Sequence, residues 1–170
     1  MTRVDEREQV AAYIGLGSNL GDRAAYLTQA RRLMSKLGRV VAESHIYETE
    51  PWGVDPDQPR YLNQVVRLET SLAPRDLMSK LLDIEAQLGR IRGVAGDSRV
   101  IDLDILLYGD AVIDEPGVQV PHPRLHLRSF VLAPLVEIAP DLVHPVLGRR
   151  VVELLGETGS DEVTEWQGGR

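Results

Sequence analysis

Val100-Ile101-Asp102-Leu103-Asp104-Ile105-Leu106-Leu107 reads as a buried strand carrying two aspartates one residue apart. Strand side chains alternate between faces. Ile101, Leu103, Ile105 and Leu107 are therefore expected on one face and both carboxylates on the other. At about 3.3 Å of rise per residue the two Cα atoms lie roughly 6–7 Å apart. Like charges at that separation repel by about 2–3 kcal/mol at an effective dielectric near 20. The pair therefore calls for a cation. A hard ion such as Mg2+ takes oxygen ligands at about 2.0–2.1 Å and is usually held by one or two carboxylates plus substrate phosphates. The alternative is local pairing with Arg90, Arg92 or Arg99, all just upstream.

Upstream of this stretch, Pro74 suits the first turn of a helix, with Leu77, Met78, Leu81, Leu82 and Leu88 marking its buried face. Glu85 falls on that same face, four residues after Leu81. It either reaches water at the edge or faces a polar site at the helix end. Tyr61 to Glu69 reads as a strand, and Glu50 to Arg60, with three prolines and a glycine, as a long surface loop. Val40 to Tyr47 is a further strand. Before it, Tyr26, Leu27, Ala30, Leu33, Met34 and Leu37 recur at helical spacing, with Gly38 as the stop. Val10 to Leu16 is a strand, followed by a glycine-rich turn over residues 15–22.

The order strand, helix, strand, strand, helix, strand gives an α+β, ferredoxin-like βαββαβ sandwich: an antiparallel sheet with both helices on one face. The other face is left open for a ligand, roofed by loops 50–60 and 90–98. C-terminal additions follow. Val112-Ile113 and Val118 to Val120 are short strands, Phe130 to Ile138 is a helix ended by Pro140, and Val151 to Leu155 is a short helix. The chain is expected to be a single domain over 1–170, with a core at about 10–155. Residues 1–9 and 156–170 are expected to be poorly ordered.

Composition narrows the chemistry. The 170 residues are 43% hydrophobic and 26% charged, as in an ordinary globular protein. With no cysteine, disulfides, thiolate zinc sites and cysteine nucleophiles are excluded. A net charge of −7 disfavours nucleic acid as a partner, so a phosphate ligand must meet a local cluster of positive charge. No apolar stretch approaches the roughly 20 residues of a membrane span, and Met1 to Gln9 is too polar for a signal peptide. A cytoplasmic monomer is the expectation.

Arg90-Ile91-Arg92 and Arg99 beside the carboxylates suggest a polyphosphate clamp, because guanidinium groups bind phosphate oxygens bidentately. Phosphoryl transfer depends on such positioning and charge stabilisation. The turn at 15–21 is neither a Walker loop nor G-x-G-x-x-G, since Leu20 holds the last glycine position; a plain strand-to-helix turn is its reading. His122 and His126 have the spacing of a helical metal pair, but Pro121 and Pro123 oppose a helix there and no HExxH glutamate is present. That segment is better read as an ordered loop offering His122 and Arg128 to a phosphate.

Taken together, six motifs resemble the 6-hydroxymethyl-7,8-dihydropterin pyrophosphokinases of folate biosynthesis. They are Tyr13-Ile14-Gly15-Leu16-Gly17-Ser18-Asn19-Leu20-Gly21, Thr49-Glu50-Pro51-Trp52-Gly53, Tyr61-Leu62-Asn63, Glu85 with Gly89-Arg90-Ile91-Arg92, Arg99 with Asp102-Leu103-Asp104-Ile105, and Pro121-His122-Pro123-Arg124. Each is weak alone; their joint order is specific and covers about residues 11–155.

In that family ATP donates its β,γ-pyrophosphoryl group to the pterin hydroxymethyl oxygen and AMP leaves. The resemblance implies that Asp102 and Asp104 hold two Mg2+ ions, and that Arg90, Arg92, Arg99, His122 and Arg128 meet the phosphates. Glu85 would belong to the nucleotide side. Thr49, Pro51 and Asn63 would read the pterin edge, with Tyr61 and Phe130 as aromatic walls and Trp52 close by. The chain departs from the family where members commonly carry a tryptophan between the positions of Arg92 and Arg99. Here that stretch is Gly93-Val94-Ala95-Gly96-Asp97-Ser98, and Trp52 is the candidate substitute. Pro123 stands where some relatives have tyrosine. Rival classes are a palm-type nucleotidyltransferase or cyclase, which would release pyrophosphate, and a non-catalytic binding module, which would not turn over ATP.

Overall fold

The computed structural model describes residues 8–49, 60–89, 100–159 and 163–167. Along the chain run β1 (Val10–Ser18), α1 (Arg23–Met34), β2 (Arg39–Glu43), β3 (Tyr47–Thr49), β4 (Tyr61–Thr70), α2 (Pro74–Gln87) and β5 (Asp102–Tyr108). They are followed by β6 (Ile113–Glu115), β7 (Val118–Val120), α3 (Ser129–Ile138), α4 (Val151–Thr158) and β8 (Val163–Glu165). The sheet order is β5-β1-β4-β3-β8, with β2 also on β4, and every pair is antiparallel. This is the expected ferredoxin-like plan.

Local chemistry sets the boundaries. Asp22 caps α1, its Oδ1 accepting the Ala25 amide at 3.1 Å. The helix stops at Met34, earlier than the spacing predicts. Gly38 serves another purpose, because a Cβ there would lie 2.2 Å from the Glu69 carbonyl oxygen. The strand expected over 40–47 is two strands on one partner. At the break, the Ser44 hydroxyl accepts the Val65 amide at 3.0 Å and the Ser44 carbonyl accepts from Gln64 Nε2 at 2.7 Å. A side chain thus takes over one rung of the ladder.

The α1 and α2 helices cover one sheet face. Leu27 and Met34 of α1 and Leu77 and Leu81 of α2 meet Ile14, Leu16, Leu62, Leu68 and Leu103 there. Each such buried side chain contributes about 1.5–3 kcal/mol relative to exposure. The C-terminal additions pack on the opposite face, where Leu132, Leu135, Val151 and Leu154 enclose Tyr13, Val65, Leu106 and Leu107. Among the described residues no helix covers one end of that face, and the candidate site lies there.

Two further expectations are corrected. Leu107 does not share the face of Leu103 and Ile105. Between Tyr13 and Ile14 the register shifts from Leu107 to Ile105, so Leu106 is an extra residue and the alternation inverts. Within the tail, expected to be poorly ordered from Gly156, the described residues instead complete α4 and add β8 to β3. They find order because β3 offers a free edge and Trp166 offers apolar surface to the first core.

Candidate active site

Register brings the expected residues into rows. Asp102 lies opposite Gly17, Gly17 opposite Asn63, and Asn63 opposite Tyr47. One step along, Asp104 lies opposite Gly15 and Gly15 opposite Val65. Directly opposed residues share a face, so the two half-exposed aspartates and Asn63 face the same way across a β1 floor without side chains. The reading of 15–21 as a turn is corrected here: Gly15 and Gly17 are inside β1, and only residues beyond Ser18 turn. Glycine in a strand interior marks a close approach. At Gly17 a Cβ would sit 3.3 Å from Asn63 Oδ1, whereas at Gly15 it would meet the bulged Leu106 at 3.3 Å.

Asn63 is held rather than loose. Its Nδ2 donates to Thr49 Oγ1 at 2.9 Å in a buried contact, which anchors the carboxamide beside Gly17. Tyr61 lies on the same face, opposite Thr49. At the other side of the floor, Glu85 resolves its own anomaly. Only 1% exposed, its Oε2 accepts the Leu103 amide at 2.7 Å, between the two aspartates. The contact holds the strand that carries both aspartates, which accounts for an acid on the buried face of α2.

His122 follows β7 and ties back to β5, its amide donating to the Leu106 carbonyl at 2.9 Å. Its Nδ1 accepts the Arg124 amide at 3.1 Å. Burial, and then the Arg128 charge, lower the imidazole pKa to about 4, with Asp102 opposing and Arg124 assisting. The ring is therefore neutral at pH 7, and the Nδ1 contact assigns its proton to Nε2. The Arg128 guanidinium carbon lies 5.6 Å from the Phe130 ring centroid, a cation–π contact. These two expected ligand residues therefore occupy each other, one face of the ring being taken.

Beside the carboxylates opens a cleft of about 810 Å³, between α2, the outer edge of β5 and the β6–β7 hairpin. Met78, Leu82, Ile105, Val118 and Val120 supply apolar walls, and Asp104, His122 and Pro123 line it too. The sequence reading placed Met78 and Leu82 on the buried face of α2; Met78 does pack against the first core, whereas Leu82 is 38% exposed. The signal was the width of the stripe, which holds more apolar residues than one buried face needs. Gln119 and the hairpin carried no sequence signal as a cleft wall. Arg90, Arg92, Arg99, Pro51 and Trp52 lie outside the described residues, as do the expected roofing loops. Among the described residues there is no group of three His, Cys, Asp or Glu able to hold a metal. Two carboxylates with an open floor fit an ion that takes its remaining oxygens from phosphates and water.

The fold and site define a ferredoxin-like protein whose open sheet face carries a carboxylate pair, with a ligand-sized cleft at the outer edge of the sheet beside it. Residues 13–140 match the family described as 7,8-dihydro-6-hydroxymethylpterin-pyrophosphokinase (HPPK), and the chain belongs to it. A pyrophosphokinase of that series from Methylorubrum extorquens is 47% identical over 148 residues, covering 86% of this chain and 92% of the relative. One from Bacillus subtilis is 48% identical over 129 residues, 75% of this chain and 77% of that protein. The folic acid synthesis protein fol1 of Pneumocystis carinii is 45% identical over 139 residues, and the chain spans only 19% of its length. Among solved structures, Plasmodium falciparum HPPK-DHPS superposes with a TM-score of 0.75 at 16% identity, over 91% of this chain and 44% of that one. That likeness concerns the fold.

Proposed function

We infer that the chain is an ATP-dependent diphosphotransferase that converts 6-hydroxymethyl-7,8-dihydropterin to its diphosphate in folate biosynthesis. The observation that carries the reading is the row Asp102–Gly17–Asn63. A flat heterocycle can lie on the bare backbone of Gly17 with its amide edge at Asn63 and its substituent toward the aspartates. Thr49 anchors the Asn63 amide through Nδ2, which leaves Oδ1 and the second Nδ2 hydrogen to pair with that edge. Tyr61 and Phe130 would flank the ring, and Arg128 must share Phe130 with it. The cleft beyond Asp104 is within the roughly 300–1,000 Å³ of small-molecule sites, and its apolar walls suit a nucleobase. The nucleotide's phosphates would then lie toward Asp104 and His122.

Asp102 and Asp104 would hold Mg2+, and we propose two ions, shared with the triphosphate. Bound there, the metal neutralises phosphate charge and makes the substrate hydroxyl more acidic. The pterin hydroxyl oxygen bonds to the β-phosphorus and gives up its proton to solvent, while the bond from that phosphorus to the α,β-bridging oxygen breaks and AMP leaves with that oxygen. His122, neutral and carrying its proton at Nε2, offers a hydrogen bond to a phosphate oxygen. Arg128, with Arg90, Arg92 and Arg99, offers charge. No described side chain is placed as a general base. We further propose a cytoplasmic monomer without nucleic-acid or membrane partners. No described helix is long and apolar enough to cross a membrane, and the net charge is −7.

The test is product analysis after incubation with ATP, Mg2+ and 6-hydroxymethyl-7,8-dihydropterin. AMP with a diphosphorylated pterin is expected. Released pyrophosphate would place the chain among nucleotidyltransferases, and absence of ATP turnover among binding modules.

A further inference from the structure

The strand that carries Thr49 is only three residues long and follows the irregular stretch 44–46. Short strands at an edge hold their pairing weakly, yet Thr49 must keep its Oγ1 on Asn63 Nδ2. The C-terminal strand prevents β3 from being an edge. Val163 pairs with Thr49, Thr164 with Glu48 and Glu165 with Tyr47, while β4 occupies the other side. The next residue, Trp166, donates its amide to the Ile46 carbonyl at 2.8 Å and packs its indole against the first core.

We propose that residues 163–166 are a positioning element for the pterin-reading edge, holding Thr49 and, through it, the Asn63 amide. This inference rests on the reading of Asn63 as a pterin contact. Other anchors act on the neighbours of Thr49. Tyr47 Oη donates to Glu137 Oε1 at 2.6 Å, and Glu48 Oε2 accepts from Arg23 Nη1 at 3.0 Å. Thr49, beyond both, has β4 on one side and β8 on the other, and its side chain serves Asn63. Undocking β8 therefore frees Thr49 first and leaves the Asp102–Asp104 end of the sheet, three strands away, in place.

The test uses the full chain with Trp166→Ala, which removes the anchor, and Thr164→Pro, which disrupts the added strand. In both, KM for the pterin rises about tenfold, the loss of roughly one oriented hydrogen bond. KM for ATP and kcat stay within about twofold of the parent. Amide exchange at residues 47–49 accelerates in parallel. Asn63→Ala serves as the reference and raises the pterin KM by itself. If Asn63→Ala raises it and both tail variants leave it unchanged, the positioning inference is overturned while the site reading stands. If Asn63→Ala also leaves it unchanged, the reading of the pterin edge fails. Equal losses in ATP KM, kcat and melting temperature would show a merely structural tail and overturn the proposal.

Discussion

Asp102, Asp104 and Gly17 lie in adjacent rows at the centre of the candidate site, and the sequence announces them unequally. Two carboxylates at alternate positions of an apolar run are costly without a cation, so their pattern was legible at once. Gly17 was not, because a glycine before Ser-Asn-Leu-Gly is equally at home in a turn. Only its pairing with Asn63 and Asp102 shows it as floor. Asp104→Asn is expected to lower kcat/KM by about 3–4 kcal/mol, on the order of 10²–10³-fold, through lost metal binding. Steady-state kinetics across a Mg2+ series checks this, and near-normal turnover would remove Asp104 from the metal set. Gly17→Ala places a methyl group 3.3 Å from Asn63 Oδ1, so the amide must shift and the floor rises. Its pterin KM rises severalfold while ATP KM is kept, and isothermal titration with each ligand separates the two.

Single elements explain what periodicity could and could not foresee. Alternation along β5 is correct from Leu103 to Ile105 and then fails, since Leu106 and Leu107 are both apolar and either satisfies either face. A bulge between two leucines leaves no trace in a hydrophobic pattern. Glu85 left a trace, an acid on the buried face of α2, but the pattern cannot say what it touches. Its Oε2 satisfies the Leu103 amide at 2.7 Å. Glu85→Ala leaves that buried donor unmet and is expected to cost about 1–3 kcal/mol of stability. It should also lower kcat, because β5 carries both aspartates. Glu85→Gln retains an acceptor and loses less of each. Urea unfolding together with turnover on the two variants decides the matter, and an Ala variant as stable as the Gln variant would refute the edge-holding role.

At the scale of the whole molecule, the sheet separates two cores, and most of the first was legible in the sequence. Helical spacing in α1 and α2 showed which faces they bury, whereas nothing in the C-terminal third said which sheet face would receive α3 and α4. That second layer holds a titratable group. His144 is 5% exposed, and its Nδ1 accepts the Val146 and Leu147 amides at 3.2 and 3.1 Å. Burial first, and then the nearby His126, lower its pKa from the ordinary 6.5. The unfolded chain therefore takes up this proton at a higher pH than the folded one. Its stabilising contribution is complete above about pH 6.5 and declines as the pH falls below that value. Unfolding free energy measured from pH 7.5 to 5 should fall over the lower part of this range, before most carboxylates titrate. In His144→Asn, Oδ1 can still accept the two amides but nothing titrates, so the decline should be shallower although the variant is less well packed. A variant that follows the parental slope would show that the second layer tolerates a charged imidazole.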